Sequence, residues 1–316
     1  MNISTSMIQA VSVLIFLIFL AYFFKKIKLI QPENGTLFAK LVTNFTLPAL
    51  IFTAVSKHTI SMNYLILAGI MIVSEILSAI LAWLIARILK LSKPATGALI
   101  LASTFGSSAF LGYAIIKNIY HNNPGALASA AIVSELGVGL LIFTFGIFIA
   151  IHYGCSSLSS LEKRKTIVSF FYSPIFIALS LGLIVSLFKL PENNIILETV
   201  YKILNITGNA NTVLVALTIG VLLEFKNIRK AFVVALAACA VKLLFQPFIA
   251  SLQTDLLAMN EMWKQIIVIE TSMPSATLAA VFAKKYGCDA ELTSILVFAT
   301  FISSLFTMIT VFLFLS

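Results

Sequence analysis

Charged side chains are scarce in this sequence. Only 10% of its 316 residues are Asp, Glu, Lys or Arg, whereas 60% are hydrophobic. A soluble domain carries about 25% charged residues, which cover its surface. Because this chain has too few charges to cover a water-exposed surface, we predict a multi-pass membrane protein with almost no domain outside the membrane.

Cysteine and histidine are equally rare, with three residues of each. The cysteines are scattered and form no C-x-x-C pair: Cys155, Cys239 and Cys288. The histidines stand near the ends of apolar segments: His58, His121 and His152. These positions argue against a disulfide framework and against a zinc site. We therefore expect no metal centre and no cofactor, and the sequence shows no pattern typical of an intramembrane enzyme.

The net charge of +9 does not indicate a nucleic-acid partner. The Lys and Arg residues fall in short loops between apolar segments. Basic residues in such loops set the orientation of a membrane protein and need no polyanion. We expect contact with membrane lipid and none with nucleic acid.

Ten apolar segments have the length of a membrane span, which is about 20 residues for a helix. They cover residues 7–24, 36–56, 63–86, 95–118, 126–150, 167–188, 201–222, 231–252, 262–284 and 291–313. A helix satisfies its own backbone in lipid. The sequence therefore predicts an all-α membrane protein with ten transmembrane helices, which we call spans 1 to 10.

The distribution of basic residues tests this layout. Of the 21 Lys and Arg residues, 15 fall in loops on the same side as the first loop, 5 fall on the opposite side, and Lys242 lies inside span 8. Cytoplasmic loops are the ones enriched in Lys and Arg. The ratio predicts both termini outside a cell (inner) membrane. The first segment lacks a basic start and is followed by Lys25 and Lys26, so we expect it to be retained as a span.

The centres of the spans indicate an internal repeat. Spans 2, 3 and 4 centre near residues 46, 75 and 107, and spans 7, 8 and 9 centre near 211, 241 and 273, an offset of about 165. Five spans per half is an odd number, so the second half must insert upside down. We predict two inverted five-helix repeats, over residues 1–155 and 156–316.

Polar residues and a proline interrupt spans 2 and 9 at their centres. In span 2, "NFTLPALIF" contains Asn44, Thr46 and Pro48. Proline has no N–H and collides with the carbonyl four residues back, which here belongs to Asn44. In span 9, "ETSMPSATLAA" places Pro274 four residues after Glu270. Each proline is expected to free a carbonyl in the membrane, or simply to kink a packed helix.

Spans 4 and 7 are interrupted by small and polar residues. The stretch "ASTFGSSAFLG" in span 4 contains Ser107, Ser108 and Gly112, and "NITGNANTVL" in span 7 contains Asn209 and Asn211. Close helix packing is an alternative explanation for span 4. Broken helices at matching positions of two halves are, however, typical of a transporter's binding site.

Four ionisable residues lie deep in the spans: Glu75, Glu135, Lys242 and Glu270. Each costs roughly 2.5–3.5 kcal/mol to insert, so a function is the default interpretation. The carboxylates are candidates for proton coupling, and Lys242 is a candidate for holding an anion. A buried Lys–Glu pair that only neutralises itself is the structural alternative.

Three stretches together resemble the auxin efflux carrier family of membrane transport proteins. They are "NFTLPALIF" at 44–52, "KLLFQP" at 242–247 and "TSMPSATLAAVFAKKYGCD" at 271–289. The resemblance implies a secondary carrier of the bile-acid/arsenite/riboflavin transporter superfamily, with helices 4 and 9 broken and crossing at the midplane. It also implies a scaffold of helices 1, 2, 6 and 7 and a transport unit of helices 3–5 and 8–10. Asn44, Thr46 and Pro48 match its helix 2 motif, and Met273 and Pro274 match its helix 9 crossing.

One motif departs from the family pattern. Helix 4 usually carries an Asn and a Pro in a pattern like N-x-G-F-x-G-x-P, and this sequence has Ser107 and Ala114 there, within "SSAFLGYA". Phe110 and Gly112 remain. The departure weakens the expectation that helix 4 is broken and that its ligand contacts match those of the family.

The resulting hypothesis is a secondary active transporter of a small organic anion. A malate- or malonate-like carboxylate or an auxin-like acid would move by alternating access, coupled to H⁺ or Na⁺, with Na⁺ placed at the crossing of helices 4 and 9. A homodimer is the candidate assembly. A ligand-binding membrane sensor or a channel on the same fold is the alternative.

Overall fold

A computed structural model describes residues 3–57, 62–120, 123–154, 168–169, 171–188, 194–223 and 231–315. Cys155, His58, His121 and most of the basic residues in the predicted loops between spans 5 and 8 lie outside these ranges. Within these ranges every regular element is a helix. One isolated antiparallel β-bridge joins Gly106 and Ser275. The predicted all-α class is confirmed for the described part of the chain.

Sixteen α-helices follow one another along these residues. They are α1 (Ile3–Lys26), α2 (Asn34–Leu41), α3 (Leu47–Ser56), α4 (Met62–Ile88), α5 (Lys93–Thr104), α6 (Tyr113–Ile119), α7 (Pro124–Ile132), α8 (Ile147–Tyr153), α9 (Pro174–Phe188), α10 (Ile195–Asn209), α11 (Asn211–Leu222), α12 (Phe232–Cys239), α13 (Gln246–Leu256), α14 (Glu261–Thr271), α15 (Thr277–Tyr286) and α16 (Ala290–Leu315).

Five π-helical turns join or extend them: Val42–Thr46, Ser108–Gly112, Val133–Gly139, Ile142–Gly146 and Ala240–Phe245.

Among the described residues, seven continuous helices are long and apolar enough to cross a membrane. They are Thr5–Lys26, Asn34–Ser56, Asn63–Ile88, Gly125–Tyr153, Ile195–Leu222, Phe232–Leu256 and Ala290–Leu315. Predicted spans 4 and 9 are absent from this set because each is broken into two short helices. Predicted span 6 corresponds to the shorter apolar helix α9. The protein is a multi-pass helical membrane protein, and a count of ten crossings stays a prediction.

Two prolines are accommodated without breaking a helix. Pro48 follows the π-turn Val42–Thr46, and Pro247 follows the π-turn Ala240–Phe245. A π-turn inserts an extra residue into the helix, and the backbone N–H of Leu47 accordingly reaches back five residues to the carbonyl of Val42. Span 2 therefore stays continuous, in contrast to the break that Pro48 suggests.

The chain divides into two compact units, each of which combines segments from both halves of the sequence. The first unit comprises Met1–Tyr64, Ala109–Ile132 and Phe171–Glu224. In it α3 packs on α9 and α1 packs on α11. Glycines allow these close approaches, because a Cβ at Gly220 would lie 2.3 Å from the carbonyl oxygen of Ile18.

The second unit comprises Leu65–Ser108, Val133–Phe170 and Phe225–Ser316. Its core is apolar and packs α16 against α5, α12 and α15, and α13 against α14. The four ionisable residues that the sequence places in the membrane all belong to this unit. The candidate site lies here.

The glycine packing in the first unit yields a testable prediction. In Gly220→Ala the new methyl group would lie 2.3 Å from the Ile18 oxygen and 2.6 Å from the Ala21 Cβ, so a backbone must shift. We expect a loss of about 1–3 kcal/mol of stability, the usual cost of overpacking. Thermal unfolding of the purified protein in detergent measures it.

Gly69→Ala is the matched control, since a Cβ at Gly69, also in a helix, meets nothing within 4 Å. Alanine is the better helix former, so its unfolding temperature should be unchanged or slightly higher. Equal unfolding temperatures for Gly220→Ala and the wild type would contradict the described packing of α1 on α11.

Candidate functional site at a helix crossing

Two broken helices meet in the second unit. Helix α5 ends at Thr104, and Phe105 is extended, with φ −92° and ψ 126°. Helix α14 ends at Thr271, and α15 begins only at Thr277. The short extended segments between these helix ends run antiparallel at Gly106 and Ser275. Span 4 is thus broken despite its altered motif, and span 9 is broken at its predicted proline.

Backbone hydrogen bonds join the two breaks. The N–H of Ser107 donates to the carbonyl of Pro274 at 2.7 Å, and the N–H of Ala276 donates to the carbonyl of Phe105 at 2.8 Å. A helix break in an apolar environment leaves backbone groups that must find partners inside the protein. Each broken segment supplies the partners of the other. Pro274 suits this position because it lacks the N–H that would otherwise need an acceptor.

Two hydroxyl groups hold the crossing to neighbouring helices. The hydroxyl of Ser275 donates to the carbonyl of Ala102, at the end of α5. The hydroxyl of Thr300, on α16, donates to the Ser275 hydroxyl at 2.8 Å and accepts from the Ser275 N–H at 3.2 Å. Thr300 is fully buried and Ser275 is 3% exposed. These bonds fix the crossing from both sides.

Lys242 lies at the ends of both broken helices. Its Nζ donates to the carbonyl of Thr271, the last residue of α14, at 2.8 Å, and to Oε1 of Gln246. The Nε2 of Gln246 donates at 3.0 Å to the carbonyl of Thr104, the last residue of α5. Both side chains are fully buried. Lys242 and Gln246 therefore link the C-terminal ends of α5 and α14.

The other predicted charges gather around Lys242. Glu75 and Glu270 are fully buried, and their carboxylate oxygens have no hydrogen-bond partner among the described residues. Lys242 interacts electrostatically with both, and Glu270 also interacts with Glu135. Glu135 is 5% exposed and lies in the π-turn Val133–Gly139. The structure thus brings all four predicted ionisable residues into one unit.

The remaining candidates of spans 4 and 9 lie in different local surroundings. Ser107 contributes the backbone bond to Pro274. The Ser108 hydroxyl lies 2.7 Å from that of Ser134, in the second unit. Met273 is fully buried within the break of span 9. Gly112 ends the π-turn Ser108–Gly112.

The candidates in spans 2 and 7 belong to the first unit. The Thr46 hydroxyl donates to Oδ1 of Asn211 at 2.9 Å, and both side chains are buried. Asn44 is exposed, and its amide donates to the carbonyl of Lys40 in its own helix. Asn209 accepts from Nζ of Lys117 at 2.8 Å, next to the single-residue interruption between α10 and α11.

Sequence reasoning missed several residues of this site. Gln246, Ser275 and Thr300 make bonds at the crossing, and none of the three was among the predicted site residues. Gln246 had a usable signal, because it lies four residues after Lys242 and so on the same helix face. Thr300 had none, since a threonine in an apolar helix usually bonds its own backbone.

Comparisons with known proteins find similarity over nearly the whole chain. A family described as "Membrane transport protein" matches residues 6–312. The chain is 29% identical over 291 residues to an uncharacterized transporter of Methanothermobacter thermautotrophicus, covering 92% of each chain. It is 26% identical over 297 residues to an uncharacterized transporter of Methanocaldococcus jannaschii, covering 92% of this chain and 93% of that one.

The match places this multi-pass helical protein in the class of membrane transporters. More particularly, the chain belongs to the membrane transport protein family, the auxin efflux carrier-like family that its motifs resemble.

The hydroxyl pair at the crossing yields a prediction. Thr300→Val keeps the side-chain shape but removes the acceptor of the Ser275 N–H and one of the two partners of the Ser275 hydroxyl. Leaving a buried polar group without a partner costs about 1–3 kcal/mol. We expect a lower unfolding temperature in detergent. The control is Thr310→Val on the same helix, because Thr310 is exposed and bonds only carbonyls of its own helix. An equal effect of both substitutions would rule out the described hydrogen bonds between Thr300 and Ser275.

Proposed function

We propose that this protein is a secondary carrier that moves a small organic anion across the cell membrane by alternating access, driven by a proton gradient. The observation that carries the proposal is the crossing of two broken helices beside Glu270, a fully buried carboxylate whose oxygens have no hydrogen-bond partner among the described residues. Paired broken helices are typical of carrier binding sites.

The helix break offers a place for an anion. Helix α15 starts directly after the crossing, and its N-cap residue, Ala276, provides no side-chain cap. The N-terminus of a helix carries partial positive charge and free N–H groups, which suit a carboxylate. A small organic acid, such as malate, malonate or an indole acid, has the required charge.

Symmetric hydrogen bonds support the proposed inverted repeats. Thr46 and Asn211, which bond each other in the first unit, lie 165 residues apart, which matches the offset between the predicted halves. In the second unit, the bridged residues Gly106 and Ser275 lie 169 residues apart. The same offset relates Ser107 to Ala276 and Phe105 to Pro274, so the two backbone bonds of the crossing are equivalent to each other. A pair of equivalent residues can bond each other when a two-fold axis relates the repeats. We infer ten crossings on this basis.

The composition of the two units supports division into a scaffold and a transport unit. The first unit contains predicted spans 1, 2, 6 and 7, which the family resemblance assigns to the scaffold. The second contains spans 3, 8, 9 and 10 and the crossing. Spans 4 and 5 contribute to both, because Ala109–Ile132 belongs to the first unit.

The charge balance around the crossing supports proton coupling. Three carboxyl groups, of Glu75, Glu135 and Glu270, accompany the single ammonium group of Lys242. With every group ionised the cluster would carry a net charge of −2, which is costly in a water-poor environment. Uptake and release of a proton by Glu270 lets the cluster change its net charge as the carrier alternates.

A substrate screen tests the proposal. The purified protein, reconstituted in liposomes, is expected to accumulate at least one labelled acid among malate, malonate, other dicarboxylates and indole acids when the imposed proton gradient favours uptake. The gradient should be necessary, and an imposed Na⁺ gradient alone should not replace it. Absence of transport for every small organic anion would overturn the substrate class.

Glu270→Gln tests the coupling role. The substitution keeps the size of the side chain but removes its proton exchange, so proton-driven uptake should fall to the level of empty liposomes. Exchange of labelled for unlabelled substrate, without a gradient, should persist. Glu261→Gln is the control, because Glu261 lies in the first turn of the same helix, is exposed and accepts from Gln265. Wild-type uptake by Glu270→Gln, or a loss of exchange as well, would refute a coupling role.

A further inference from the structure

The crossing presents carbonyl groups that suit a cation. The last four carbonyls of a helix have no partner within it, and this end of a helix carries partial negative charge. Helices α5 and α14 both end at the crossing. There the Thr104 and Thr271 carbonyls accept hydrogen bonds from side chains. Unwound carbonyls and helix C-termini are the groups that coordinate Na⁺ in many carriers.

The ammonium group of Lys242 already occupies this position. It is fully buried and bonds the Thr271 carbonyl directly. It reaches the Thr104 carbonyl through Gln246, whose Oε1 accepts from the ammonium and whose Nε2 donates onward. One positive charge is therefore supplied to both helix ends by the protein itself.

The backbone of the crossing lies close to the buried ammonium group. A Cβ built on Gly106 would lie 3.0 Å from Nζ and 3.2 Å from Cε of Lys242. A side chain at position 106 would therefore require the lysine to move by a few tenths of an ångström. A Na⁺ ion would thus have to share a closed, water-poor site with a second positive charge, where repulsion is strong. The residues present do not fit a Na⁺ ion.

We propose that the ammonium group of Lys242 is a covalently attached cation of the helix crossing and that it excludes Na⁺ from this position. Lys242 interacts electrostatically with Glu75 and Glu270, and one ionised carboxylate of the two is enough to balance its charge in place of a soluble counter-ion. This inference refines the proposed carrier function by making the crossing independent of Na⁺. Its test needs neither a known substrate nor transport.

The experiment compares thermal unfolding of the purified protein in NaCl and in choline chloride at equal ionic strength. The wild type should unfold at the same temperature in both salts. Lys242→Ala removes the charge and leaves space for an ion, so it should unfold at a lower temperature in choline chloride. Added Na⁺ or methylammonium should restore part of the loss in a saturable way.

Two further variants separate charge from volume. Lys242→Met removes the charge but fills the space, and it should be destabilised in both salts without rescue. Lys264→Ala should show no dependence on Na⁺, because Lys264 lies outside the crossing and pairs with Asp255 at 2.8 Å. Lys242→Arg, which keeps the charge, should behave like the wild type towards Na⁺.

Several results would overturn the proposal. One is a Na⁺-specific rise in the unfolding temperature of the wild type. Another is a Lys242→Ala variant that responds to Na⁺ and methylammonium no more than Lys264→Ala does. Failure to recover folded Lys242→Ala even when Na⁺ or methylammonium is present from cell lysis onward would also reject it. Failure of anion transport would leave this result unaffected, since the readout is stability.

Discussion

The link from Thr104 through Gln246 and Lys242 to Thr271 is the interaction on which the rest of the site depends. Breaking two helices inside an apolar protein exposes carbonyl groups that water cannot reach. A neutral donor would satisfy one of them, but the two helix ends also bring partial negative charge to the same place. A buried lysine with an amide partner answers both needs, because it donates hydrogen bonds and carries the opposite charge.

Once Lys242 is buried at this position, the surrounding charges follow. An isolated ammonium group is expensive to bury, and carboxylates nearby reduce that cost. Glu75 and Glu270 supply them from two other helices, α4 and α14, without a direct hydrogen bond in the described residues. Their oxygens stay available to bind a proton. The same constraint that stabilises the crossing therefore also places two buried carboxyl groups near the lysine.

Much of this arrangement could be predicted from the sequence, because lipid imposes simple rules on composition. Apolar runs located the described helices approximately, and the rarity of buried charges singled out the four ionisable residues. The effect of each proline could not be predicted in the same way. Pro48 is absorbed by a π-turn, whereas Pro274 lies in a break. The difference arises from tertiary pairing. The broken segment at Pro274 exchanges backbone hydrogen bonds with the second broken segment, around Gly106.

Polar residues show the same limit. Asn44 and Asn211 look equivalent as asparagines in apolar helices, yet Asn44 is exposed on its own helix and Asn211 is buried against Thr46. Their depth within the membrane span could be predicted from the sequence. Which side of the helix contacts a partner depends on packing. Thr300 illustrates the reverse case, because it donates a hydrogen bond to Ser275 at the crossing although no signal in the sequence pointed to it.

The altered motif of span 4 shows which features of the crossing depend on side chains. The family pattern has Asn and Pro where this chain has Ser107 and Ala114, and the helix is nevertheless broken at Phe105. The reason is that the break is held through the backbone N–H of Ser107, which any residue except proline supplies. Gly106 lies against Lys242, so that a Cβ there would be 3.0 Å from the lysine Nζ. Position 107 is therefore free to vary in its side chain without loss of the crossing, whereas a side chain at position 106 requires Lys242 to move.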